Sequence, residues 1–89
     1  MTVEFLDFYA DWCGPCRVME PTLQEIEKEL GDKVKITKID VDTETQKASQ
    51  YGVMSIPTYI VLKDGTEVER FIGATSKELL KNKIIAQLS

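Results

Sequence analysis

The chain has 89 residues, a formal net charge of −4 and ordinary fractions of hydrophobic (43%) and charged (29%) residues, so residues 1–89 are expected to form one globular domain. The charge is spread without a basic cluster, which argues against a nucleic-acid partner, and the apolar stretches are far shorter than the roughly 20 residues of a membrane-spanning helix. No histidine is present, which excludes triads and metal sites that depend on imidazole, and we expect no bound metal.

The first predicted element is a strand over residues 3–10, VEFLDFYA, because both of its alternating faces are apolar except at Glu4 and Asp7. Such a segment is typical of a central strand that is covered on both sides. A helix over residues 15–30 follows, with a proline near its first turn, apolar residues at helical spacing and Gly31 where the helix should stop. Asp7 is the unusual residue, since it is either an acid at a solvated strand end or a buried group behind the next turn.

Residues 33–41, KVKITKIDV, predict a second strand. Its lysines suit an exposed sheet edge better than the centre of a sheet. A short helix is expected next, because Thr43 and Gln46 have the spacing of a capping box and Gly52 ends the segment.

Strands over residues 58–62 and 67–72 are joined through Asp64-Gly65, which is a strong hairpin signal. The last helix is predicted to start near Thr75-Ser76. The order is therefore β-α-β-α-β-β-α, which predicts an α/β fold with a four-stranded mixed sheet flanked by three helices. A helix connects the first two strands, so these should pair in parallel, whereas the hairpin is antiparallel.

The only two cysteines, Cys13 and Cys16, lie in the sequence WCGPC between the first strand and the first helix. A structural crosslink is a weak interpretation, because the stabilisation grows with the loop that is closed and this loop is very short. An inert bridge and a zinc ion shared between two copies of the chain remain alternatives to a redox pair. Free amide groups and the dipole at the helix start favour a thiolate at Cys13, and Cys16 lies within bridging distance one turn later.

WCGPC after an apolar strand resembles the active site of the thioredoxin family. The resemblance extends over nearly the whole chain, because five segments have the order and spacing of that family: FLDFYADWCGPCR, Pro21, KIDVD, YGVMSIPTYIVLKDG and FIGATSKEL. The resemblance implies a thioredoxin-like fold and a thiol-disulfide oxidoreductase that reduces disulfides of other proteins. Cys13 would attack the target disulfide as the nucleophile, and Cys16 would resolve the mixed disulfide. Asp7 would be buried behind the pair as a proton acceptor and donor, and Lys38 would modulate Asp7.

The resemblance also implies a substrate-binding surface around the cysteines. Pro57 would be a cis proline facing them, although a trans proline is the common case, and the backbone of Ile56 would pair with an extended substrate segment by strand addition. Trp12 is either a partly buried anchor or, beside the attacking sulfur, a part of the docking surface. The other residues that the resemblance places at this surface are Gly14, Pro15, Gly73 and Ala74.

Thioredoxins usually carry a further strand and helix before the strand that leads to the cysteines, and this chain starts almost directly on that strand. The strand over residues 33–41 should therefore be an edge. The resemblance implies substrates that are disulfide-containing proteins, a separate electron donor of the thioredoxin-reductase type and no tightly bound cofactor. We expect a monomer in the cytoplasm, unless a signal peptide preceded this numbering.

Two other functions remain open. One is a disulfide oxidant or isomerase, but relatives of that kind usually have a histidine between the cysteines, where this chain has Gly14 and Pro15. The other is a non-catalytic module that holds an extended segment beside Pro57. The presence of both cysteines together with Asp7 argues against that second alternative.

Overall fold

The computed structural model describes residues 2–88, and its central element is a four-stranded sheet. The strands are β1 Val3–Tyr9, β2 Lys35–Asp40, β3 Thr58–Lys63 and β4 Thr66–Ile72. The helices are α1 Gly14–Leu30, α2 Thr45–Gln50 and α3 Lys77–Ala86, with a short 3₁₀ helix, Gly31–Lys33, after α1. The predicted order of strands and helices is confirmed.

The strands lie side by side in the order β2-β1-β3-β4. β1 pairs in parallel with β2 and antiparallel with β3, so it is a central strand as predicted. β2 has one neighbouring strand within the described residues, which makes it the predicted edge. β3 and β4 form the hairpin, and its turn residues Asp64 and Gly65 have φ of 51° and 85°, the left-handed values that a tight two-residue turn requires.

Both faces of the sheet carry apolar side chains, which explains the nearly continuous apolar sequence of β1. On one face Phe5 and Tyr59 stack with ring centroids 5.5 Å apart and belong to the core beneath α1 and α3. On the other face Phe8 and Ile60 pack against α2 and the loop after it. Because side chains alternate along a strand, Asp7 shares the face of Phe5 and lies beneath α1.

The predicted start of α2 is wrong. Thr43 and Gln46 do not form a capping box, because the helix begins at Thr45 and Glu44 occupies the N-cap position without a side-chain hydrogen bond. The Thr43 hydroxyl instead donates to the carbonyl of Asp40 at 3.3 Å. Threonine hydroxyls bind nearby backbone groups in turns as readily as at helix starts, so the spacing alone did not distinguish the two arrangements.

Candidate active site

The two cysteines meet at the N-terminus of α1. Cys13 is the N-cap residue and Cys16 lies in the first turn, and their sulfurs form a disulfide across a Cα–Cα distance of 5.2 Å. The backbone N–H of Cys16 donates to the Cys13 sulfur at 3.2 Å. A backbone donor and the positive end of the helix dipole thus both point at the atom that becomes a thiolate on reduction. Gly14 and Pro15, between the cysteines, are exposed.

Asp7 lies on the strand that leads into this turn, and only 2% of its surface is exposed. Desolvation raises the pKa of Asp7 from 3.8 to about 6; the positive charge of Lys38 opposes this rise and the negative charge of Glu20 adds to it. A carboxyl group with this pKa changes its protonation state close to neutral pH. It therefore suits proton exchange with a thiol.

Lys38 lies directly opposite Asp7 in the β1–β2 ladder, but its ammonium group binds Glu20. Lys38 Nζ donates to both carboxylate oxygens of Glu20 at 2.8 Å and lies 4.8 Å from the centre of the Tyr9 ring. No ion pair joins Lys38 to Asp7 among residues 2–88. The sequence analysis missed Glu20, although it follows Cys16 by four residues in α1 and such residues share one face of a helix.

An open hollow connects this ion pair to the second cysteine. Its walls are formed by Tyr9, Ala10, Asp11, Cys16, Arg17, Glu20 and Lys38. Cys16 contributes to the wall, whereas Cys13 does not. The charged pair and Cys16 therefore line the same hollow, on one side of the molecule.

A second hollow is lined by Trp12, Val41, Val53, Met54, Ser55 and Ile56. Trp12 is 69% exposed and Met54 is 97% exposed, so Trp12 is not a buried anchor. The Trp12 indole N–H donates to the carboxylate of Asp42 at 2.8 Å, an interaction that the sequence analysis missed. Exposed apolar side chains grouped in this way are typical of a surface that binds another molecule.

The segment before β3 lies beside the cysteines. Ile56 packs against the buried cluster of Ala10, Cys13 and Cys16, and the Ile56–Pro57 peptide bond is cis. No backbone hydrogen bond involves Ile56 in the part of the chain that the structure describes. Gly73, at φ 92°, donates its N–H to the Pro57 carbonyl at 2.8 Å, which holds the turn after β4 and the exposed Ala74 beside this segment.

Two further charged residues, Asp11 and Arg17, line the hollow beside Cys16. The exposed Arg17 donates from Nε to the carbonyl of Asp11 at 2.9 Å.

Within residues 2–88, no three or more Cys, Asp or Glu side chains are grouped so that they could hold a metal ion. In the same part of the chain, no helix combines the length and the apolar character that a membrane crossing requires.

The chain is similar to thioredoxins over most of its length. A family model described as Thioredoxin matches residues 2–86. Thioredoxin from Bacillus subtilis (strain 168) is 52% identical over 82 residues, which cover 92% of this chain and 79% of that protein. Among solved structures, a mutant thioredoxin from Halobacterium salinarum NRC-1 has a TM-score of 0.90 at 38% identity and covers 98% of this chain and 75% of its own. Fasciola hepatica thioredoxin has a TM-score of 0.88 at 38% identity, and the match covers 97% of this chain and 81% of that one.

Proposed function

This chain belongs to the thioredoxin family of thiol-disulfide oxidoreductases, and from that premise we propose that it reduces the disulfides of other proteins. The observation that carries this proposal is the geometry of Cys13, which caps α1 and accepts the N–H of Cys16 at 3.2 Å. The two sulfurs themselves carry the electrons, so thiol–disulfide exchange needs no tightly bound cofactor.

In the first step the Cys13 thiolate attacks one sulfur of the target disulfide. A bond forms between Cys13 and that sulfur, the target S–S bond breaks, and the other target sulfur leaves as a thiolate that takes a proton from water. The helix start favours Cys13 as the attacking residue, because its sulfur has the backbone donor and the dipole that stabilise negative charge.

In the second step Cys16 resolves the mixed disulfide. Asp7, ionised above its pKa of about 6, takes the proton of the Cys16 thiol. The Cys16 thiolate then attacks the Cys13 sulfur, and the second target sulfur leaves and is protonated. The target has gained two electrons and two protons, and the chain ends with the Cys13–Cys16 disulfide. Lys38 modulates Asp7 in this step.

Substrate docking is proposed at the surface formed by Trp12 and the Ile56–Pro57 segment. An extended segment of the target would pair with the backbone of Ile56, as in other cases of strand addition, while apolar target side chains contact Trp12 and Met54. The rim of this surface is supplied by Gly14, Pro15, Gly73 and Ala74. Because main-chain pairing is independent of side chains, this mode of docking suits a range of protein substrates.

The reduced state has to be restored by a separate electron donor of the thioredoxin-reductase type. A compartment that keeps thiols reduced suits a reductase, so we propose the cytoplasm as its location. The Cys13–Cys16 disulfide has no electrons to give to a target until it is reduced. Turnover therefore depends on the separate electron donor.

The test is catalytic reduction of insulin by dithiothreitol, followed by the precipitation of the released insulin chains. The protein should accelerate the reaction at substoichiometric concentration, and the double variant Cys13→Ser/Cys16→Ser should not. Equal rates with and without the wild-type protein would refute the reductase proposal. Binding of a peptide without turnover would instead support the non-catalytic module.

A further inference from the structure

The Glu20–Lys38 ion pair places two charged groups near the buried acid, Asp7. Lys38 is the residue opposite Asp7 in the parallel ladder, so it is the cation that is placed to neutralise the Asp7 carboxylate. Glu20, reaching down from α1, binds the Lys38 ammonium with both oxygens at 2.8 Å. The described residues contain no ion pair between Lys38 and Asp7. The cation is therefore engaged by the exposed acid and not by the buried one.

The ionisable groups around Asp7 come from the neighbouring strands and from α1. β2 contributes Lys38, and α1 contributes Glu20 and, in the reduced protein, the thiol of Cys16. β3 contributes Tyr59, the antiparallel partner of Asp7, whose buried hydroxyl lacks a hydrogen-bond partner among the described residues and whose pKa is raised by desolvation and by the charge of Asp7. Tyr9, two residues along the same strand, contacts Lys38. Among the described residues, Lys38 is thus the one cation whose charge acts on Asp7, and its ammonium group is bound by Glu20.

We propose that Glu20 is a positioning residue for the resolving step, which binds the Lys38 ammonium group and so keeps Asp7 a base of moderate strength that can both accept and release a proton. This inference rests on the proposed role of Asp7 in the reductase cycle. Glu20 itself touches neither the sulfurs nor the substrate; it acts through Lys38. Glu20 lies one helical turn after Cys16, and both residues line the same hollow.

Glu20 raises the pKa of Asp7 in two ways. Its negative charge favours the protonated form of Asp7, and its hold on Lys38 prevents a direct ion pair that would favour the ionised form. Removing the charge of Glu20 should therefore lower the pKa of Asp7 on both accounts. The side chains of Lys38 and Glu20 are 44% and 37% exposed, so water screens the pair and the expected change is modest.

The first experiment titrates Asp7 by carbon-13 NMR of its carboxyl group in the oxidised protein, where the cysteines do not titrate. Glu20→Gln should lower the pKa of Asp7 by about half a unit or more. The matched control is Glu27→Gln, the same change at an exposed position of the same helix, which should leave Asp7 unchanged. An Asp7 titration that is the same in Glu20→Gln and in the wild type would overturn the inference.

The second arm asks whether Glu20 acts through Lys38. In a Lys38→Met background the cation is absent, so adding Glu20→Gln should change the pKa of Asp7 by less than half of its effect in the wild type. An equal effect in both backgrounds would overturn the positioning role, because the charge of Glu20 would then act directly. Neither titration requires turnover, so failure here leaves the reductase proposal intact.

The third arm connects the titration to the reaction. A mixed disulfide on Cys13 is formed in acid and released by a pH jump, and the midpoint of the rate against pH is compared between wild type, Glu20→Gln and Glu27→Gln. The midpoint should move to lower pH in Glu20→Gln, together with the Asp7 titration, and stay in place in Glu27→Gln. A titration that moves while the kinetic midpoint stays in place would contradict the base role of Asp7 and overturn the role of Glu20 in resolution. A failed insulin assay with a shifted titration would refute only the reductase proposal.

Discussion

Cys16 donates its backbone N–H to the sulfur of Cys13 at 3.2 Å, so the residue proposed to release the substrate also stabilises the sulfur that attacks it. Cys13, as the N-cap residue, has the open end of the helix beside it, whereas Cys16 is held within the first turn. Two residues of identical chemistry thus occupy unequal electrostatic positions. Their exchange chemistry should be correspondingly unequal.

Substitution of either cysteine should separate the two steps. Cys16→Ser should accumulate a stable mixed disulfide with a protein substrate through Cys13, because attack is retained and resolution is lost. Cys13→Ser should form no such species. Mass spectrometry of the trapped complex gives the linked residue, and Cys13→Ser/Cys16→Ser is the control for non-covalent carry-over. A complex linked through Cys16 would reverse the assignment of roles.

The pair should be reducing. Reference values for family members and relatives are about −270 mV for thioredoxin and about −120 mV for a strongly oxidising relative, and we expect a potential near the first. Equilibration with glutathione or dithiothreitol redox buffers, read by the fraction of modified thiols, measures it. A potential near the second value would move this protein to the oxidant class, and the insulin assay would then report a side reaction.

Asp7→Asn should stabilise the fold at neutral pH. The pKa of Asp7 is raised from 3.8 to about 6, so the folded state binds its proton more tightly than the unfolded state and stability falls as the pH rises through this interval. At about 1.4 kcal/mol per pKa unit, the variant should be more stable by about 3 kcal/mol at pH 7 and equal to wild type below about pH 4. Urea denaturation across this range measures the difference. Asp32→Asn, at an exposed position, is the control, and a gain that is independent of pH would mean that desolvation of the carboxylate is not its cause.

The same substitution should slow resolution. Without the Asp7 carboxylate the Cys16 thiol has no buried base, so release of the target from Cys13 should slow by at least about tenfold near pH 7. The initial attack should change less, because Cys13 is activated by the helix start. Stopped-flow measurement of both phases separates them, with Asp32→Asn again as the control. Unchanged release rates across the pH range would exclude Asp7 as the base.

The Trp12–Asp42 hydrogen bond should act on binding and leave the chemistry unchanged. It holds an exposed indole in place, so that less side-chain freedom is lost when a substrate docks. Trp12→Phe and Asp42→Ala each remove this hydrogen bond, and each should raise the KM for a protein disulfide by about fivefold, the equivalent of about 1 kcal/mol, with kcat unchanged. The double variant should resemble either single one. Additive effects, or a loss confined to kcat, would show that the two residues act independently.

Most of the fold could be predicted from local sequence. The Asp64-Gly65 turn and the nearly continuous apolar sequence of β1, interrupted at Glu4 and Asp7, each favoured one structural interpretation, and both predictions were confirmed. The start of α2 was predicted wrongly, because the hydroxyl of Thr43 has two backbone partners within reach and the sequence does not rank them. A helix of six residues has few hydrogen bonds of its own, so its surroundings set where it begins.

The parts of the site that lie within one short segment could be predicted from the sequence. The contacts between residues from distant segments could not. Cys13 and Cys16 form one local unit, whereas the partner of Lys38 depends on how α1 crosses β2. The family resemblance directed attention to Asp7, and the geometry shows that Glu20 binds the ammonium group. Likewise Asp42 reaches Trp12 from a segment 30 residues away. Long-range pairs of charged side chains follow from packing, which a single sequence does not reveal.

The edge position of β2 also bears on how the protein should be prepared. Within the described residues this strand has one neighbour, and its exposed lysines, Lys35 and Lys38, place positive charge where another strand would have to approach. Amine-reactive dyes and biotin reagents convert such lysines to neutral amides. They would remove the charge that discourages edge-to-edge association and, at Lys38, the ion pair with Glu20. A labelled sample should therefore carry its tag through a chemistry that leaves lysine untouched, or its aggregation will be mistaken for a property of the native protein.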